Sequence, residues 1–201
     1  MSDLHDKWEA DGMREQMYTH PYLNSSSIVL EIGAYKGFWI SEISKRYDPC
    51  IYAFEPVPQF YTEAQGKIKD RDFPKVFLFP FGLGKDNRMQ AILVNEDASG
   101  VYCKVGVPVQ IFIRSIKEAL SMFHFKEHIN LTQINCEGGE YELLEYILNE
   151  NLINKFDHLQ IQFHDIIPDA KMRMENIFHK LSETHKMHYN YDFIFCHWSK
   201  K

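Results

Sequence analysis

The chain has 201 residues, 45% of them hydrophobic and 25% charged. That balance fits one soluble globular domain and excludes disordered, collagen-like and coiled-coil classes. Its 22 basic and 28 acidic residues leave a formal charge of −6, which argues against broad binding to a phosphate backbone. The 15 Phe, 11 Tyr and 3 Trp make 14% of the chain, a surplus that either fills a core or lines a pocket.

Residues 1–27 read as an N-terminal extension and residues 28–201 as a single domain, because no repeat, low-complexity tract or Gly/Ser/Pro-rich linker divides the sequence. The first residues, MSDLHDKWEADGMREQ, lack the apolar stretch of a signal peptide. No run approaches the roughly 18 apolar residues of a membrane span, so a cytoplasmic protein is expected. Cys50, Cys103, Cys136 and Cys196 form no C-x-x-C pair and read as reduced thiols.

From residue 28 the rhythm is strand then helix. Ile28 to Ile32 is a β-branched apolar run, and Phe38 to Tyr47 places Ile40 and Ile43 at helical spacing. A second strand spans Ile51 to Phe54, and Pro56 and Pro58 then punctuate a loop before a polar helix at Gln59 to Lys69. Val76 to Phe81 is nearly continuously apolar, the pattern of a strand buried on both faces.

The middle departs from this rhythm. Gln90 to Val94 and Val107 to Ile113 read as extended arms around the loop Asn95 to Gly106, suggesting a hairpin or excursion. A helix at Ile116 to Phe123 follows Ser115 as N-cap. A strand at Leu131 to Asn135, a helix at Glu140 to Asn149, a strand at His158 to Phe163 and a helix at Ala170 to Thr184 then restore the alternation. One aromatic strand-like run, Tyr189 to Trp198, closes the chain. The expected fold class is α/β, an open and mostly parallel sheet with helices on both faces and a C-terminal antiparallel strand. Ligands of such sheets bind at the carboxyl ends of the strands.

The first such end carries Glu31-Ile-Gly33-Ala-Tyr35-Lys-Gly37. Gly33 and Gly37 permit a tight turn and close backbone approach before a helix N-terminus. The spacing is E-x-G-x-x-x-G and not the dinucleotide pattern G-x-G-x-x-G, which disfavours an NAD-linked oxidoreductase. A carboxylate before the first glycine repels phosphate and suits a ligand with an ammonium group, which describes S-adenosylmethionine. Glu55 ends the next strand, where an acid commonly bonds ribose hydroxyls.

The series VLEIGAYKG, YAFEPVPQFY, INLTQINCEGGEYELL and LQIQFHD resembles the FkbM-type family of class I S-adenosylmethionine-dependent methyltransferases over residues 28–198. The family's K-x-D-x-E-G-x-E motif is matched by Gln133-Ile-Asn135-Cys136-Glu137-Gly138-Gly139-Glu140. Gln133 and Asn135 stand where the family has lysine and aspartate, which speaks against an Asp-based role at position 135. The resemblance implies a Rossmann-like methyltransferase fold, S-adenosylmethionine as cofactor, and O-methylation of a hydroxyl on a sugar, glycan or small metabolite.

On this reading Glu31, Gly33, Tyr35, Gly37, Glu55, Pro56, Gly82 and Leu83 hold the cofactor, with Pro80 to Gly84 against the adenine. Glu137 contacts the acceptor hydroxyl, Asn135 bonds near the methyl donor, and Glu140 shapes the turn. His164 ends the fifth strand and titrates near neutral pH, so it is the candidate base. Tyr18, His20, Tyr35 and the segment Ser99 to Tyr102 are candidates for the pocket mouth. Asn135, Glu137, His164 and Asp165 could converge on Mg2+ or Mn2+, but no local ligand spacing supports it and no metal is expected. Nucleic acid is not expected as the acceptor, and a homo-oligomer is compatible with the sequence. The alternative is a non-catalytic S-adenosylmethionine-binding partner subunit, favoured by the changes at Gln133 and Asn135.

Overall fold

The structure, a computed structural model, describes residues 2–95, 100, 102–123 and 128–201. Parallel strands β1 (Ile28–Ile32), β2 (Cys50–Phe54) and β3 (Val76–Phe79) alternate with helices α3 (Phe38–Tyr47) and α4 (Pro58–Asp70). Strands β4 (Gly82–Gly84), β5 (Arg88–Val94) and β6 (Val107–Ser115) form a separate three-stranded sheet in the order β4-β6-β5. After α5 (Ile116–Met122) the main sheet resumes with β7 (Leu131–Ile134), α6 (Glu140–Asn149), β8 (His158–Ile161) and α7 (Ala170–Thr184). It finishes with the antiparallel pair β9 (His185–Tyr191) and β10 (Phe195–Lys200).

The main sheet runs β3-β2-β1-β7-β8-β10-β9. β1 pairs with β2 on one side and with β7 on the other, so the strand order reverses between β1 and β7. A crevice opens at the carboxyl ends where the connections leave in opposite directions.

Side-chain parity explains the two packed layers, since successive strand residues face opposite sides of the sheet. Leu30, Ile32, Phe54, Ile134, Leu159 and Ile161 pack on one face with Leu143, Leu144 and Ile147 of α6 and Ile177 of α7. Val29, Ile51, Ala53 and Leu131 face the other way, against Trp39, Ile40 and Ile43 of α3. A third cluster joins Val57 and Phe60 to Ile92 and Ile111, seating the three-stranded sheet as a roof over the carboxyl ends.

Three expectations change. β3 stops at Phe79, and Phe77 is 45% exposed, because β3 is the sheet's edge and lacks a neighbour to cover it. The single closing run is two strands, β9 and β10, joined through a turn in which Phe193 adopts a left-handed φ of 59°. The N-terminal extension also folds: α1 (Ser2–Ala10) and α2 (Met13–Gln16) precede Leu23, which is buried in the same cluster as Val29 and Ile40. Among the described residues no helix is long and apolar enough to cross a membrane.

Candidate active site

The carboxyl ends of β1, β2 and β7 and the inner face of the roof enclose a cavity of about 400 Å³. Of the expected cofactor residues, Gly33, Tyr35, Glu55, Pro56, Gly82 and Leu83 line it, as do Asn135 and Glu137. Phe60, Ile92, Ile111 and Ile113 give it an apolar wall, and Tyr102 and Arg173 lie at the end near Gly138.

Gly33 makes the crevice possible. Its φ is 90°, and a Cβ there would sit 1.8 Å from the carbonyl oxygen of Asn135. Only glycine lets the β1 and β7 ends approach so closely while keeping that backbone conformation. Gly37 serves differently. It occupies the left-handed N-cap of α3 against Ala64 and does not line the cavity.

Glu55 is fixed by its neighbours' backbone. Oε2 accepts the Tyr35 N–H at 2.7 Å and Oε1 accepts the Val57 N–H at 2.8 Å. Burial nevertheless dominates, pushing its carboxyl up to about 7 against the pull of those two donors.

Glu31 departs from its expected place. It shares the parity of Val29, so its side chain enters the layer beneath the N-terminal segment and does not line the cavity. Only 2% of it is exposed, and Oε2 has no hydrogen-bond partner. Burial, with the charge of Glu55 added, holds its carboxyl well above the usual range. The expected contact between an ionised Glu31 and an ammonium group therefore has no support in this geometry.

The β7–α6 turn supplies the other wall. Glu137 adopts a φ of 49° and Gly138 one of 94°, turning the Glu137 side chain to the cavity edge. Asn135 lines the cavity, and its buried Oδ1 is without a partner. Such an orphaned acceptor is costly, on the order of 1–3 kcal/mol, unless a bound donor meets it. Cys136 also lines the cavity, and burial pushes its thiol well up, with Glu140 and Glu137 adding to the effect.

Glu140 is fully buried. Oε2 accepts the Gly138 N–H at 2.9 Å, and Oε1 accepts the His164 N–H at 2.9 Å and faces its Nδ1 at 3.1 Å. It shapes the turn and ties it to the end of β8. His164 does not line the cavity. Burial opposes its charge, yet the two glutamates outweigh burial and raise its pKa to about 10. Set back from the cavity and with its pKa raised, His164 is poorly placed for the expected role of base.

The expected mouth residues divide. Tyr18 and His20 belong to the layer beneath the N-terminal segment, where the Tyr47 hydroxyl bonds the Tyr18 carbonyl and the His20 N–H. Tyr102 does reach the cavity, while Ser99 and Val101 lie outside the described residues. Arg88, Glu142 and Arg173 are lining residues that no local motif marked. Arg88 pairs with Glu142 at 2.6 Å and Arg173 with Glu145 at 2.7 Å, so both cations are already met. Among the described residues no group of three or more His, Cys, Asp or Glu is placed to hold a metal ion.

No family model matches the chain, and no curated protein matches it. Solved structures do. A methyltransferase FkbM from Methylobacillus flagellatus KT aligns with TM-score 0.60 and 14% identity, covering 88% of this chain and 44% of that one. An rRNA methylase from Streptococcus thermophilus aligns with TM-score 0.54 and 14% identity over 94% of both chains. A Streptococcus mutans protein in complex with SAH aligns with TM-score 0.58 and 12% identity, covering 94% and 97%. The fold is thus the Rossmann-like one of methyltransferases. This chain spans less than half the length of that FkbM methyltransferase, and at these identities the likeness is one of fold.

Proposed function

We propose that the chain is an S-adenosylmethionine-dependent methyltransferase acting on a hydroxyl oxygen of a sugar, glycan or other small metabolite. The observation that carries this reading is the cavity at the β1–β7 switch point. There the Gly33 cradle, the buried Glu55 carboxyl and the orphaned Asn135 Oδ1 converge. These are groups that a phosphate-free, hydroxyl-bearing nucleoside satisfies. S-adenosylmethionine would supply the activated methyl group as its sulfonium.

Glu55 would hold the ribose hydroxyls, the Gly33 backbone would admit the methionine portion, and Pro56, Gly82 and Leu83 would bracket the base. Glu137, at the cavity edge, takes the acceptor side. With S-adenosylmethionine bound as methyl donor, the Glu137 carboxylate would receive the proton that the acceptor hydroxyl gives up. The chain's contribution is alignment and proton removal.

The acceptor class rests on charge and on the resemblance to FkbM-type enzymes, because the fold itself is shared with an rRNA methylase. Calorimetry with S-adenosylhomocysteine tests the cofactor. Following conversion of S-adenosylmethionine to S-adenosylhomocysteine with a panel of glycans, polyols and RNA tests the acceptor. Absence of S-adenosylhomocysteine binding sinks the reading, and turnover on RNA alone replaces its acceptor class.

A further inference from the structure

The His164 ring stands between two carboxylates, Glu140 Oε1 3.1 Å from Nδ1 and Glu137 Oε1 3.1 Å from Nε2. We propose that His164 is a positioning residue, a buried imidazolium that holds Glu137 toward the acceptor. This rests on the reading of Glu137 as the acceptor-side carboxylate.

The charge follows from the two contacts taken together. Glu140 is buried among N–H donors and aims Oε1 at both the backbone N–H and Nδ1 of His164, so Nδ1 carries a proton. A neutral ring protonated there would turn the lone pair of Nε2 onto the Glu137 carboxylate. A second proton, on Nε2, makes that contact attractive. The remaining neighbours do not compete. Cys136 is kept a thiol by burial, with its Sγ 3.8 Å from Glu140 Oε2. The Tyr141 hydroxyl donates to the His164 carbonyl, and Arg173 lies over the Tyr141 ring while paired with Glu145. Asp165 is the next residue along the chain and brings a further negative charge.

The position agrees with a role exerted through Glu137. The His164 side chain is 11% exposed and absent from the cavity lining, whereas Glu137 is 24% exposed and lines it. Nε2 meets Glu137 at ion-pair distance without the alignment of a hydrogen bond. Glu137 is thereby oriented by charge while its second oxygen is left for a hydroxyl. The left-handed backbone of Glu137 fixes the stem, and His164 fixes the head.

Ring carbon–proton correlation NMR of the full chain, titrated from about pH 5.5 to 8.5, reads the charge directly. The His164 resonances are expected to stay at the imidazolium position throughout. A midpoint near 6.5 overturns the proposal. In Glu140→Gln the midpoint is expected to fall into the titrated range, and an unchanged midpoint also counts against it. With an acceptor in hand, wild-type turnover is expected to show no rise through pH 6.5 and to decline toward pH 10. His164→Gln is expected to lose about 10²-fold in kcat with the KM for S-adenosylmethionine little changed, and near-normal kcat in that variant overturns the proposal. If the wild type fails to bind S-adenosylhomocysteine, the methyltransferase reading falls, while the NMR titration still decides the charge of His164.

Discussion

Glu31 and Glu55 stand at the ends of β1 and β2, and Glu137 and Glu140 follow β7, so two pairs of glutamates occupy neighbouring strand ends, with Glu55 and Glu137 toward the cavity and Glu31 turned into the opposite layer. The first pair has no cationic partner among the described residues. Burial pushes both carboxyls up, and among the described residues their compensation is the two backbone N–H groups on Glu55. The second pair brackets His164 and shares its charge. One residue type in one fold therefore gives two states: carboxyls held up by burial without a cation, and carboxyls set against a histidine. The lesson is that a strand-end acid is interpretable only through what its burial is matched against.

Gly33 is where the two halves touch, so changing it breaks the comparison outright. Gly33→Ala drives a Cβ into the Asn135 carbonyl at a φ alanine resists. A loss of about 4 kcal/mol or more is expected in urea unfolding, and near-wild-type stability would refute the close approach.

Glu140→Ala and Glu31→Gln contrast the halves. Removing Glu140 strands a buried cation and the Gly138 N–H, with an expected loss of about 3–5 kcal/mol. Glu31→Gln removes an uncompensated carboxyl and is expected to be neutral or stabilising above pH 7. Equal losses in the two variants would erase the distinction.

pH separates them by sign. Glu55 has a folded pKa of about 7 against 4.5. Its folded state holds the extra proton, so this contribution favours folding most below pH 4.5 and declines as pH rises through 7. His164 is raised from 6.5 to about 10, so its contribution is complete below 6.5 and is lost as pH climbs toward 10. Denaturant midpoints measured across pH should show the first decline diminished in Glu55→Gln and the second abolished in His164→Gln.

Glu55→Gln keeps the shape but offers the ribose a weaker acceptor. About tenfold weaker S-adenosylhomocysteine binding by calorimetry is expected, near 1.4 kcal/mol. The smallest effect belongs to the exposed Lys45–Glu42 pair at 2.7 Å, whose removal should shift stability by under about 0.5 kcal/mol.

Much of this was legible in the sequence. β1, α6 and α7 fall where apolar runs and helical spacing put them, and Gly33, Glu55, Asn135 and Glu137 reach the cavity from strand ends. The parity that sends Glu31 away was also legible, since it alternates with Leu30 and Ile32. His164 was not. Its partners lie on a turn whose approach depends on the β7–β8 pairing, and its ordinary pKa suggested a base. The β9–β10 turn escaped notice because residues 192–194 contain neither Gly nor Pro, and Phe193 itself takes the left-handed conformation. Arg88 and Arg173 were silent because tertiary structure alone brings them to the cavity.

The segment ahead of β1 bears on the order of folding. Tyr22 stacks on His158 at 3.5 Å, with His197 of β10 beside it, and Tyr191 of β9 bonds Asp11 at 2.5 Å. Residues ahead of β1 thus find partners in β8, β9 and β10, far along the chain. Contacts of such long sequence separation are the slowest to close, so the cover that Met17 and His20 give Trp39 is expected to be completed late in folding.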